Sequence, residues 1–335
     1  MLNDLEPLAP FGADERVVTL LRSSLEPAHV PGRVVRVDRD RCIVVGPLGT
    51  EPAFANPLPA VGDWVGLVPA VAETGTPASV AVVLARRSEL RRGEQVVAAN
   101  VDVVFVVTGL DREPNLNRLE RALALAWDSG ARPVVVLNKR DRVDDFEAVA
   151  GGIRSRLGSV DVVPVSGQSG DGVASLADVL RPAATGVFVG ASGVGKSTLM
   201  NRLTDGPVAS VGPVRESDRK GRHTTTSRSL VLVPSGGVLI DTPGVRSLRL
   251  GDAGDGVTLG FPEIEELGRG CRFRDCSHDV EPGCAVLAAV DAGELGSERF
   301  ASWQKLSREA ALEARNADSA EARRRPGGGR PSTSR

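Results

Sequence analysis

The chain has no tyrosine, only three histidines, four cysteines in 335 residues, and four lysines among its 41 basic residues. So few cysteines cannot build a disulfide scaffold, which points to a reducing compartment. No apolar run approaches the roughly 20 residues that a bilayer-spanning helix needs, and the first residues do not read as a basic-then-apolar leader. A cytoplasmic protein without membrane contact is therefore expected. Charge of one sign is also missing. The formal net charge is −2, so no global field draws the whole molecule onto nucleic acid, and any such attraction must be local. Aromatic residues make up 3%, which disfavours reading single strands by base stacking. The scarcity of lysine fits a coding bias toward arginine and weakens arguments from arginine richness alone.

Hydrophobic residues reach 41% and charged residues 25%, enough for a sizeable core, and the length suggests two or three domains. Residues 1–29 read as an N-terminal extension with one short helix around Glu15–Ser24. From Pro31 the texture becomes short β-favouring runs, at Gly32–Val37, Cys42–Val45, Asp63–Val68 and Ser79–Leu84, between turn residues. This predicts a small barrel over 30–92. Cys42 falls in that alternating pattern and reads as a small buried hydrophobe. Arg86, Arg87, Arg91 and Arg92, with Glu89 between them, read as a basic linker.

Over 93–255 apolar strands alternate with amphipathic helices: Val101–Val107, Leu116–Ser129, Pro133–Leu137, Val160–Val165 and Thr185–Val189. That pattern predicts a parallel sheet covered on both faces. Residues 256–314 read as helical around a cysteine cluster, and 315–335 as a disordered Arg-rich tail.

Three motifs carry chemistry. Gly190, Ala191, Ser192, Gly193, Val194, Gly195, Lys196 and Ser197 fit G-x-x-x-x-G-K-[ST], directly after a strand and before the helical pattern Thr198–Leu203. Backbone N–H groups at such a helix N-terminus cradle phosphates, the lysine reaches the β- and γ-phosphates, and the serine ligates Mg²⁺. Asn138, Lys139, Arg140 and Asp141 end the strand Pro133–Leu137, where open parallel sheets bind ligands. A carboxylate at Asp141 can accept from guanine N1–H and N2–H₂, Asn138 can reach the base edge, and the Lys139 stem can pack over the ring. Ser166, after the third strand, could offer a further base contact. Asp241 to Gly244 (Asp-Thr-Pro-Gly) ends the strand Gly237–Ile240, with Asp241 placed for Mg²⁺ and Gly244 for the γ-phosphate. The polar run Lys220–Thr226 could supply a threonine to Mg²⁺, Thr225 or one of its neighbours.

Their order is informative. Ordinary GTPases run phosphate loop, switch threonine, Asp-x-x-Gly, then Asn-Lys-x-Asp, whereas here Asn138–Asp141 comes first. The GTPase core must be circularly permuted. After it come Cys271, Cys276, His278 and Cys284. Three thiolates and an imidazole make a closed tetrahedral ligand set for one structural Zn²⁺, and a disulfide would leave one thiol over.

With Gly62-Asp-Trp-Val65, Asn100-Val-Asp102, Gly221-Arg-His-Thr-Thr225 and Glu281-Pro-Gly-Cys-Ala-Val286 added, the chain resembles the RsgA family of circularly permuted GTPases over roughly residues 30–310. The resemblance implies an N-terminal OB-fold, a central P-loop GTPase and a helical C-terminal zinc-binding domain. It further implies GTP hydrolysis to GDP, stimulated by the small ribosomal subunit and its rRNA during late maturation. Val245 stands where many GTPases place a water-orienting glutamine, and the resemblance suggests His223 as the catalytic replacement beside Lys196; the alternative is that His223 contacts RNA or solvent. A monomer is expected. Trp64 can be core or stacking platform, while Arg33, Arg36, Arg86, Arg87, Arg91 and Arg92 suggest phosphate contacts with folded RNA. A GTP-gated RNA-binding scaffold with incidental hydrolysis is the competing function.

Overall fold

The computed structural model describes residues 5–92, 95–158, 160–206, 228–241, 257 and 260–324. The elements in chain order are α1 (Glu15–Ser24), β1 (Val30–Val37), β2 (Cys42–Gly46), β3 (Gly49–Ala53), β4 (Trp64–Val68), β5 (Ser79–Val83), β6 (Glu89–Arg92), β7 (Gln95–Ala99) and β8 (Val103–Gly109). There follow α2 (Leu116–Asp128), β9 (Arg132–Asn138), α3 (Phe146–Leu157), β10 (Asp161–Pro164), α4 (Val173–Val179), β11 (Thr185–Gly190), α5 (Lys196–Leu203), β12 (Arg228–Leu232) and β13 (Val238–Asp241). The last three helices are α6 (Pro262–Gly268), α7 (Ala285–Asp291) and α8 (Ser297–Arg324). The chain divides into two compact units, residues 1–249 and 250–335.

In the first unit β1 to β5 close a barrel. β1 pairs antiparallel with both β2 and β4, β2 with β3, and β4 with β5. The ring shuts through a parallel bridge between Phe54 and Ser79. This is the OB-fold. Its interior holds Val30, Val34, Cys42, Val44, Ala53, Val65, Leu67 and Ala78. Cys42 is fully buried, and burial pushes its thiol up to about 11.

The parallel core runs β10-β9-β8-β11-β13, with antiparallel β12 beyond. Strand residues alternate between its faces, and each face is covered by helices. Val104, Val106, Val135, Leu137, Val187 and Val189 meet α2 and α3 on one side. Phe105, Val107, Val134, Val136 and Phe188 meet α4 and α5 on the other. Two-sided burial is why these strands read as unbroken apolar runs.

Two expectations need correction, and two pairings lie beyond what the sequence foretold. The sequence predicts a basic linker at Arg86–Arg92, but β6 pairs antiparallel with β7, so the boundary at 92/93 falls within a paired hairpin. The barrel is not a separate sheet either. β1 continues into the core through β12, with Arg36 opposite Ser229 and Val37 opposite Arg228. β3 goes unpredicted because Gly-Thr-Glu-Pro-Ala has little β propensity; its pairing with β2 makes it a strand. Helix α8 continues to Arg324, past the start of the predicted disordered tail. The Ala, Glu and Arg of this stretch are strong helix formers.

The arginines offered for RNA contact are largely engaged inside the protein. Arg33 is 0% exposed and Arg36 8%. Arg86 forms a two-pronged pair with buried Asp63 at 2.7 and 2.8 Å, Arg87 holds Asp102 and Asp14 at 2.7 and 3.1 Å, and Arg91 holds Glu89 at 2.6 Å. Trp64 is 1% exposed, so it is core and no stacking platform. The N-terminal segment also belongs to the core: Leu5, Leu8, Phe11, Val17 and Leu21 pack into it, and Asp14 caps α1 by accepting from the Val17 N–H at 2.8 Å.

Candidate functional site

Strand order places the site. Neighbouring β8 and β11 are the point from which successive parallel strands run outward in opposite directions, and open α/β sheets bind ligands at the carboxyl ends of such a pair. Those ends carry Gly109, Asn138, Gly190 and Asp241. A cavity of about 470 Å³ lies there, lined by Asp111, Asn138, Lys139, Asp141, Arg142, Gly167, Gln168, Gly195 and Thr198.

Asn138 ties three loops together. Its Nδ2 donates to the Val194 carbonyl at 2.8 Å, and its Oδ1 accepts from the Gly167 N–H at 2.9 Å. The side chain is 2% exposed and acts as a brace. Gly195 has to be glycine here. It has φ +96°, and a Cβ would lie 2.2 Å from Asn138 Nδ2. Asp141 opens into the cavity beside Arg142, 3.4 Å away. A hydrogen bond from the Ser166 hydroxyl, aided by Arg142, holds its carboxyl below the usual value. The group is thus anionic at neutral pH and can accept two N–H donors.

In the Gly190–Lys196 loop, Lys196 Nζ donates to the carbonyls of Gly190 and Ala191 at 2.9 and 2.7 Å. Ser197 and Thr198 are exposed in the first turn of α5, while Leu199 and Met200 anchor the helix beneath. Asp241 ends β13, which lies beside β11, and burial pushes its carboxyl upward. A cation would reverse that shift, since it favours the charged form. Arg140 is turned away from the base side. Its backbone N–H donates to Val165 O at 3.1 Å and its guanidinium lies 5.1 Å over the Phe146 ring. His223, Thr225, Gly244 and Val245 lie outside the described residues.

The structure adds residues that sequence reasoning missed: Asp111, Arg142 and Gln168 line the same cavity. Asp111 had one legible signal, its place just past the carboxyl end of the strand beside Asn138.

In the second unit Cys271, Cys276, His278 and Cys284 converge, with all four ligand atoms within 4.8 Å of one another. Tetrahedral Zn²⁺ with bonds of about 2.3 Å to sulfur and 2.0–2.1 Å to nitrogen has edges of about 3.8 Å (S···S) and 3.5 Å (S···N). The observed Cys271–Cys284, Cys271–His278 and His278–Cys284 separations are 3.8, 3.5 and 3.3 Å. The donor set therefore fits zinc. Burial pushes the Cys276 thiol up to about 11, aided by Cys284 and Cys271, because neighbouring sulfurs resist ionising together without a cation between them. Burial also raises Cys271, but N–H groups of Ala285 and Val286 outweigh it and leave this thiol below its usual value. Glu281 organises the loop carrying His278. It accepts from the N–H groups of Ser277, Asp279 and Val280 at 2.9, 3.0 and 3.1 Å, and bonds from Ser277 bring its carboxyl down to about 2. Trp303 of α8 lies 5.4 Å from the His278 ring.

With this geometry in view, comparison with known proteins is informative. The sequence profile of the family described as RsgA GTPase matches residues 83–251. The small ribosomal subunit biogenesis GTPase RsgA of Streptomyces coelicolor is 45% identical over 320 residues, covering 90% of this chain and 86% of its own. Its counterpart in Opitutus terrae is 42% identical over 336 residues, covering 93% and 92%. Among solved structures, YjeQ from Thermotoga maritima shares a TM-score of 0.64 at 28% identity, over 84% of this chain and 99% of that one. YloQ, described as a circularly permuted GTPase, shares the fold with a TM-score of 0.60 at 23% identity, over 86% and 97%. The permuted motif order agrees with the description of YloQ, and on that profile and those relatives the chain belongs to the RsgA family of circularly permuted GTPases.

Proposed function

We propose that this GTPase acts in late maturation of the small ribosomal subunit, binding the subunit and its rRNA and hydrolysing GTP to GDP when the subunit stimulates it. The observation that carries the reading is Asn138, which braces the phosphate loop and the base loop around one cavity in a chain whose relatives bear that name. In this reading Asp141 accepts from the guanine edge, Ser166 orients Asp141, and the Lys139 stem covers the ring. Backbone N–H groups of Gly190–Thr198 hold the phosphates, with Lys196 drawn from the loop carbonyls to the β- and γ-phosphate oxygens. Ser197, Asp241 and Thr225 would hold Mg²⁺, which supplies charge neutralisation to the phosphates. Gly244 would sense the γ-phosphate and His223 would orient the attacking water. Cys271, Cys276, His278 and Cys284 would hold one structural Zn²⁺. Barrel, GTPase and zinc domain divide the work at about residues 30–92, 93–255 and 256–314, in a cytoplasmic monomer. Among the described residues no helix is long and apolar enough to cross a membrane.

The test is GTP turnover with and without purified small subunits, with large subunits as control. Alone, the protein should hydrolyse slowly, on the order of 10⁻⁴–10⁻³ s⁻¹ as for unassisted small GTPases. Small subunits should accelerate it by at least about a hundredfold, and His223→Ala should remove most of that gain while subunit binding persists. Fast turnover without subunits, or equal stimulation by large ones, would refute the proposal.

A further inference from the structure

Asp111 belongs to none of the motifs, yet it is built into the cavity wall. It lies two residues past Gly109, which pairs in register with Asn138. The backbone between them is fixed, because the Leu110 N–H donates to the Asn138 carbonyl at 2.8 Å. The Asp111 carboxylate folds back over Gly109, where an added Cβ would lie 2.5 Å from Asp111 Oδ1 and 3.5 Å from Lys139 Cδ. The glycine thus opens a slot shared by two side chains. Across it Asp111 Oδ2 accepts from Lys139 Nζ at 2.8 Å. Lys139 is half-buried and Asp111 exposed, their side chains 27% and 34% accessible, and both line the 470 Å³ cavity with Asp141. Lys139 itself has φ +65°, a conformation non-glycine residues seldom adopt.

We propose that Asp111 is a positioning residue for the guanine nucleotide: it pins the Lys139 ammonium so that the lysine's methylene stem lies preset as the wall of the base cavity. The proposal rests on reading that cavity as the guanine site. A free lysine stem samples many rotamers, and ordering it on binding costs affinity. An ion pair that orders it beforehand removes that cost and also keeps the charged head away from the ring face. Hydrogen bonding from Lys139 lowers the Asp111 carboxyl, so the pair is ionised at neutral pH. The contact is to the base end, so GDP and GTP should feel it equally.

The experiment is stopped-flow dissociation of fluorescent GDP and of a non-hydrolysable fluorescent GTP from four proteins: unmodified, Asp111→Ala, Lys139→Met, and the double variant. Lys139→Met keeps a stem of similar length without the charge. A half-exposed ion pair contributes enough for Asp111→Ala to speed dissociation roughly two- to fivefold. The factor should be the same for both nucleotides, with unchanged melting of the nucleotide-free protein. Adding Asp111→Ala to Lys139→Met should then change the rate no further, since Asp111 acts through the lysine. An unaltered rate in Asp111→Ala overturns the proposal, as does an equal acceleration in the Lys139→Met background. Failure of the unmodified protein to bind either nucleotide overturns instead the functional reading beneath it.

Discussion

Arg33→Met is the sharpest test of how the first unit is held together. Arg33 is 0% exposed and sits where barrel, N-terminal segment and parallel sheet meet. Its guanidinium donates to the Phe11 carbonyl and to Thr185 Oγ1, the latter at 2.9 Å, and points at the Gly62 carbonyl at 3.4 Å. It lies 4.9 Å over the Trp64 ring. Desolvation, with Arg87 adding repulsion, lowers its pKa to about 9, so it stays charged at neutral pH. Methionine has similar length and keeps the packing, but strands those acceptors against an alkyl chain. Each stranded acceptor costs about 1–3 kcal/mol. Relief of the guanidinium's own desolvation offsets part of the sum, leaving a loss of about 3–5 kcal/mol, the usual cost of removing one member of a buried charged network. Urea unfolding followed by Trp64 emission, with Trp127→Phe and Trp303→Phe in both proteins, reads this directly. The folded pKa lies below the unfolded value. Between the two, the unfolded chain binds more protons, so the wild-type advantage should be flat from about pH 6 to 8 and widen only above about pH 9. A loss below about 1 kcal/mol at neutral pH would refute the reasoning.

Three further outcomes are expected. Gly151 and Gly152 lie in the middle of α3 with nothing within 4 Å of an added Cβ; alanine at either should raise stability by about 0.5–1 kcal/mol in the same urea assay. Glu281→Ala should speed zinc loss to a colorimetric chelator by about 10- to 100-fold, as for other groups that support ligands, while nucleotide binding in the first unit persists. Glu281 has a depressed carboxyl, so its ordering of the loop is present above about pH 4.5 and should fade as pH falls toward 2. Asp141→Asn should shift preference from GTP to xanthosine triphosphate in competition binding, because a carbonyl at position 2 of the base needs a donor. Equal binding of ATP and GTP by the unmodified protein would contradict the role given to Asp141.

The sequence by itself determined the motif order, the permutation and the Cys₃His cluster. Each motif depends on spacing within one short stretch, and the permutation only on the order of such stretches along the chain: Gly190–Ser197 lies in a single strand–loop–helix, and Cys271–Cys284 in one loop and helix start. Burial on both sheet faces likewise left its mark as unbroken apolar runs, so the parallel core was legible before any coordinates. What only the tertiary structure decided is where polar groups found partners far away in sequence. Arg33 reaches Thr185 across 152 positions and Arg87 reaches Asp14 across 73, so composition could not distinguish a buried tie from an exposed RNA contact. Asp111 and Lys139, 28 positions apart, become neighbours only because β8 and β9 pair in register. The joining of β1 to β12 is equally invisible in sequence, since an edge strand's partner is set by how two modules pack. Local spacing encodes chemistry that one loop can carry alone, whereas long-range pairing is fixed only when folding brings distant strands side by side.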